Sequence, residues 1–251
     1  MKAFSLLLLA VPALASPLVG LESPVDNFKR DNNATATHTI DISTSIYEKW
    51  DALFSAAASP PASATVETRT SSDIREDLNN GLCADVILIY ARGTYSSGNI
   101  GTGIGVAFAD ALAAALPSVI VQGVEPYNNN IAGYLAGGDN TGADSMVALT
   151  EKAASQCPNA KIVWGGYSQG CQVTHKAGAH LPSAYYPRIA GIMLFGDPDN
   201  GQAFPGSLNN HVKTYCHSDD PICDGIPLPI AGHLTYADNA AEAAAVVATW
   251  V

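Results

Sequence analysis

Basic residues are scarce in this chain. Twelve Lys and Arg stand against 23 Asp and Glu, a formal net charge of −11 over 251 residues. A chain without a basic face has no purchase on nucleic acid or on anionic lipid. Charge of either sign is also thin, at 14% of residues, while hydrophobic residues reach 47%. That balance excludes a disordered chain and is enough for one domain with a full core. After the first fifteen residues no apolar stretch is long enough to span a bilayer, so no integral membrane association is expected. Cys and His residues nowhere cluster at zinc-ligand spacing, so neither a metal nor any other cofactor is called for. No internal repeat is visible.

What is present begins with a leader. Met1-Lys2, an apolar run from Ala3 to Leu14 and the small-residue site Ala13-Leu14-Ala15 read as a secretory signal over residues 1–15. The protein is therefore expected to be secreted. Residues 16–67 are rich in Ser, Thr, Ala and Pro and read as a pro-segment and flexible region. This stretch holds the dibasic pair Lys29-Arg30, the sequon Asn33-Ala34-Thr35 and a short helix expected within Ile40–Ala57. Residues 68–251 read as the folded domain. Five cysteines (Cys83, Cys157, Cys171, Cys216 and Cys223) allow four to pair in an oxidising compartment. Cys216 and Cys223 are close enough to clip a short loop. Cys171, on an expected helix, is left free and buried.

Within the domain, Asp73–Leu78 reads as a short helix ended by Asn80-Gly81. Val86–Tyr90, Val119–Val124, Lys161–Trp164, Ile189–Phe195 and Val212–Tyr215 read as strands, apolar throughout instead of alternating. Such runs indicate strands covered on both faces. Gly101–Leu116, Asp139–Ser155, Gln169–His180 and Tyr236–Trp250 read as helices. Strand alternating with helix predicts an α/β three-layer sandwich with a mostly parallel sheet.

Val163-Trp164-Gly165-Gly166-Tyr167-Ser168-Gln169-Gly170 carries the chemistry. A strand feeds a tight turn and a helix follows, the setting of a nucleophile elbow. A side chain at Gly166 or Gly170 would collide with the neighbouring strand or helix, and the helix N-terminus favours negative charge beside Ser168. A nucleophilic serine needs a base and the base an orienting acid, in the order Ser, acid, His. His175 and His180 lie on the helix leaving the elbow and point away. His233, in a loop after the last strand, falls where the base belongs. For the acid, Asp219, Asp220 and Asp224 cluster around the small cysteine loop. Order favours that cluster over Asp197 and Asp199 but leaves Asp219 and Asp220 unresolved. An oxyanion needs two donors. The Gln169 amide supplies one, and Thr94, in the Arg92-Gly93-Thr94 turn after the first strand, fits the other.

These residues resemble the cutinase family of secreted serine esterases. Cys83 through Thr94 is similar to its first strand and oxyanion loop, Gly165 through Gly170 to its elbow, and Tyr215–Cys223 with His233-Leu234-Thr235-Tyr236 to its acid and histidine segments. The resemblance runs from about Thr68 to the end of the chain. It implies an α/β-hydrolase fold with five strands and an open site, and Ser168, His233 and Asp220 as the triad. It also implies oxyanion donors Thr94 and Gln169 and disulfides Cys83–Cys157 and Cys216–Cys223. A monomer acting on an ester substrate is expected, either cutin or another aliphatic polyester. Gly196-Asp197-Pro198 is closer to acetylxylan esterases, which keeps acetylated polysaccharide as an alternative. A second alternative is an inert secreted protein recognised by a host.

Overall fold

The computed structural model describes residues 72–251, together with residues 48–49, 51–53 and 55, which are helical. The expected signal segment, the dibasic pair and the sequon lie outside the described residues, as does the rest of the helix expected within 40–57.

Five strands form one sheet: β1 (Val86–Ala91), β2 (Val119–Gly123), β3 (Lys161–Tyr167), β4 (Ile189–Phe195) and β5 (Val212–Tyr215). Their order is β2-β1-β3-β4-β5 and every pairing is parallel. Among residues 72–251 five α-helices accompany them: α1 (Ile104–Ala115), α2 (Ile131–Leu135), α3 (Asn140–Gln156), α4 (Gln169–His180) and α5 (Ala240–Ala248).

The unbroken apolar strands follow from the two-sided cover. Ile87, Ile89 and Ala91 of β1 face one layer, where Ile162, Trp164, Ile192 and Leu194 meet Met146 and Leu149 of α3 and Val173 and Ala177 of α4. Val86, Leu88 and Tyr90 face the other, against Ile104, Phe108 and Leu112 of α1 and Ala243, Ala244 and Val247 of α5. Alternate residues of one strand thus enter opposite cores, so neither position tolerates a polar side chain. Cys83–Cys157 ties the approach to β1 to the end of α3.

The helix expected over Asp73–Leu78 is absent. Glu76 instead bridges Gln122 in antiparallel sense, and the Asp77 carboxylate accepts the Val121 amide at 2.9 Å. Asp77 N–H also donates to Val121 O, and Gly123 N–H to Arg75 O. β2 is a sheet edge with unmet backbone groups, and satisfying them outweighs a weak local helix preference. Sequence pattern also showed no sign of α2. It is five residues long and is capped by Asn130, whose side chain accepts the Gly133 amide.

Candidate active site

The C-terminal ends of β1, β3, β4 and β5 converge on one rim. In open parallel sheets that rim is where ligands bind. β3 runs to Tyr167, three residues beyond its expected end, and delivers Ser168 directly into α4. Ser168 has φ 55°, a left-handed backbone that non-glycine residues adopt only under constraint. The constraint is visible on both sides. Ser168 N–H donates to Phe195 O at 3.0 Å, and Ser168 O accepts the Cys171 amide at 2.9 Å. A Cβ on Gly166 would meet Gly170 O at 2.7 Å, and one on Gly170 would run into the Ala91 carbonyl. Both glycines are therefore steric requirements of the turn.

The imidazole of His233 lies against this elbow. Its ring stacks on Tyr167, with centroids 5.0 Å apart. Tyr167 Oη donates to His233 O at 2.9 Å. On its other side runs Gly196, at φ 57°, where a Cβ would stand 2.7 Å from His233 Cε1. Nδ1 of the ring is 2.8 Å from Asp220 Oδ2. Ser168 Oγ and His233 Nε2 are both buried and have no hydrogen-bond partner among the described residues. Both atoms thus stand shielded from solvent with their hydrogen-bonding capacity unused by any described residue.

Asp220 sits in the loop closed by Cys216–Cys223. Burial pushes its carboxyl up. The His233 hydrogen bond and charge, the Tyr236 hydroxyl and the Ile222 amide more than offset this and hold it below the usual carboxylate range. Asp219, its rival in the sequence, is exposed and packs beside Gly232. Asp197 has a different partner altogether. Its Oδ2 is 2.9 Å from His175 Nε2, and the His175 ring stacks on Phe204 at 4.3 Å. The Gly196-Asp197-Pro198 run is thereby tied down by a hydrogen bond between Asp197 and His175. His180 is exposed and meets Asp144.

Thr94 and Gln169 are both buried and adjacent. Gln169 Nε2 donates to Thr94 Oγ1 at 2.9 Å and to Asn130 O at 2.8 Å. With its lone pair engaged, the Thr94 hydroxyl keeps its own proton to donate. The Gln169 amide opens α4, where the first N–H groups have no acceptor a turn behind them. The turn holding Thr94 is fastened by two residues that sequence reasoning passed over. Asn129 Nδ2 donates to Gly93 O and Ser96 O. Arg92 is buried, pairs with Glu125 at 2.6 Å, and donates to Tyr127 O and Asn129 Oδ1.

Tyr167 and Tyr236 were also missed as site residues. Tyr167 sits inside the motif and Tyr236 three residues after His233, so a buried aromatic with a polar tip was the available signal. Cys171 is free and fully buried beneath the elbow. Burial, with Asp197 adding to it, pushes its thiol up, which leaves it protonated and inert. Among the described residues no group of three or more His, Cys, Asp or Glu could hold a metal ion. None of the described helices is long and apolar enough to cross a membrane.

Comparison with known proteins gives one answer. The cutinase family model matches residues 82–251. Cutinase CUT1 of Coprinopsis cinerea is 44% identical over 170 residues, covering 67% of this chain and 85% of that protein. Cutinase pbc1 of Pyrenopeziza brassicae is 43% identical over 164 residues, covering 64% and 80%. A Trichoderma reesei cutinase solved with a C11Y4 phosphonate inhibitor superposes with a TM-score of 0.69 at 32% identity, over 84% of this chain and 93% of that one. An acetyl xylan esterase shares the fold, with a TM-score of 0.56 at 21% identity over 67% of this chain and 99% of that one.

Proposed function

Since the chain belongs to the cutinase family and is a carboxylic ester hydrolase, we propose that it is a secreted serine esterase acting on aliphatic esters through Ser168, His233 and Asp220. The observations that carry this reading are the pairing of His233 Nδ1 with Asp220 Oδ2, the His233 ring stacked on Tyr167 next to Ser168, and a buried Nε2 and a buried Ser168 Oγ that no described residue engages.

In this reading Ser168 Oγ attacks the ester carbonyl and His233 Nε2 takes its proton. The charged imidazole is stabilised by Asp220, and the carbonyl oxygen, now an oxyanion, is met by the Thr94 hydroxyl and the Gln169 amide. Collapse of the tetrahedral intermediate expels the alcohol, which leaves with the proton from His233. Water then repeats the sequence on the acyl-enzyme.

The preference for aliphatic acyl groups rests on the rim. Leu228, Ile230 and Leu234 flank His233 and are exposed, as are Ile226 and Leu135. Tyr95, Ile131, Tyr134 and Ile222 form an apolar cluster, in which Ile222 stands two residues from Asp220. Exposed apolar side chains in the segment that leads to and follows His233 suit a hydrocarbon substrate better than a hydrated sugar. Ser168→Ala should reduce p-nitrophenyl ester hydrolysis by about 10⁴-fold or more and abolish phosphonate labelling. Butyrate and hexanoate esters should turn over faster than acetate. Faster release of acetate from acetylated xylan would reverse the substrate assignment.

A further inference from the structure

One oxygen of the Asp220 carboxylate receives two donors. Oδ1 accepts the Ile222 amide at 3.1 Å. Oδ2 accepts His233 Nδ1–H at 2.8 Å and the Tyr236 hydroxyl at 2.6 Å. The phenol direction is fixed by its other contact. His217 N–H donates to Tyr236 Oη at 3.1 Å, so the hydroxyl's own proton is available only to Asp220. Burial, reinforced by that hydrogen bond to a carboxylate, pushes the phenol well above its ordinary range and keeps the proton on it. The ring has little freedom. It is 1% exposed, stacks on His217 at 4.2 Å and stands edge-on to His233 at 6.1 Å. Cys223 Sγ, which carries no proton in its disulfide, lies 3.6 Å from both the Tyr236 oxygen and Asp220 Oδ2.

We infer that Tyr236 is a positioning residue for the ester-hydrolysis reaction, its hydroxyl holding Asp220 in place and setting how strongly that carboxylate draws on His233. The inference rests on the triad reading above. A carboxylate held only by His233 and one amide could pivot about its Cβ–Cγ bond. A second donor on Oδ2 pins it. The same donor withdraws charge from the oxygen that faces the imidazole. Asp220 then stabilises the charged imidazole without taking its proton.

The test compares pH profiles. In Tyr236→Phe the charge on Oδ2 is no longer shared, so Asp220 pulls harder on the imidazole and raises its proton affinity. The acid limb of kcat/KM should move to higher pH. At optimal pH kcat should fall about tenfold, the scale of one hydrogen bond to a charged group, with KM within twofold. Tyr236→3-fluorotyrosine keeps the ring and makes the hydroxyl a stronger donor, so its acid limb should move to lower pH. Phosphonate titration of Ser168 counts the folded, competent fraction in each case, and rates are taken per competent site. Acid limbs that stay at the wild-type position in both proteins overturn the inference. If Tyr236→Phe does not fold, an unmoved limb in the fluorotyrosine protein overturns it alone. Failure of the triad reading looks different, because Asp220→Asn would then retain wild-type turnover.

Discussion

Gly196 shows how narrow the tolerances are around His233. It has φ 57°, and its missing side chain leaves the space in which His233 Cε1 and Nδ1 and the Tyr236 ring edge lie, each within 2.8 Å of where a Cβ would stand. Gly196→Ala must strain the backbone and push the imidazole off the elbow. A displacement of about 1 Å at a reacting group costs on the order of 10²-fold in rate. Turnover of p-nitrophenyl butyrate should fall by about that factor, with the loss in kcat and a smaller drop in Tm. Wild-type kcat in this variant would mean that the ring has another resting place. The glycines of the motif at 166 and 170 could be read from the sequence, because the motif itself calls for close approach. Gly196 could not. Its role depends on His233, 37 positions away in the sequence, and no local pattern records that meeting. Chain order left Asp220 and Asp219 unresolved for the same reason, and only the family resemblance pointed to Asp220. Two adjacent aspartates look alike until a fold turns one inward.

At the scale of elements, the strands were legible because both faces of the sheet are covered. A short, unbroken apolar run bounded by turn residues fits the middle of a covered sheet and little else in a domain of this size. β4 and β5 match their expected bounds. What could not be read was decided by partners. The segment at 73–78 joins the β2 edge, and α2 depends on one Asn cap. The two disulfides bind different elements and should fail differently. Cys83–Cys157 spans 74 residues and Cys216–Cys223 spans 7. Loop-closure entropy makes the first worth about 4 kcal/mol and the second about 2–3 kcal/mol. Replacing Cys83 and Cys157 by Ser should lower Tm by roughly 10 °C, measured by calorimetry, while leaving kcat near wild type. Replacing Cys216 and Cys223 should cost less Tm and more kcat, since that loop carries Asp220. Equal effects on both quantities from both pairs would contradict this division.

For the whole molecule, an acidic surface couples stability to pH through particular carboxyls. Asp220 is held below its ordinary value. Its contribution is full above the unfolded carboxyl range near pH 4 and is lost as pH falls through its lower folded value. Asp199 has the opposite sign. Burial, partly offset by His175, raises its carboxyl, so ionising it favours the unfolded chain as pH rises through the carboxylate range. Asp199→Asn, which preserves an acceptor for Gln202, should raise Tm at pH 7 and lose that advantage near pH 3. A Tm difference independent of pH would show that the carboxylate charge is not the cause.

Because every strand runs the same way, the sheet has a working rim and a back rim. β3 separates them by seven residues, roughly 20 Å at strand rise. Asn159 is exposed just before β3, and Trp250 lies over Gly191 near the start of β4, so the C-terminus also belongs to the back rim. For anyone fixing this protein to a bead or joining it to a carrier, the attachment point follows from that polarity. A tether at Asn159 or after Val251 leaves the rim that carries Ser168 facing outward, toward an incoming ester. Attachment through the loops bearing Leu228 or Leu234 would bury the face that meets it.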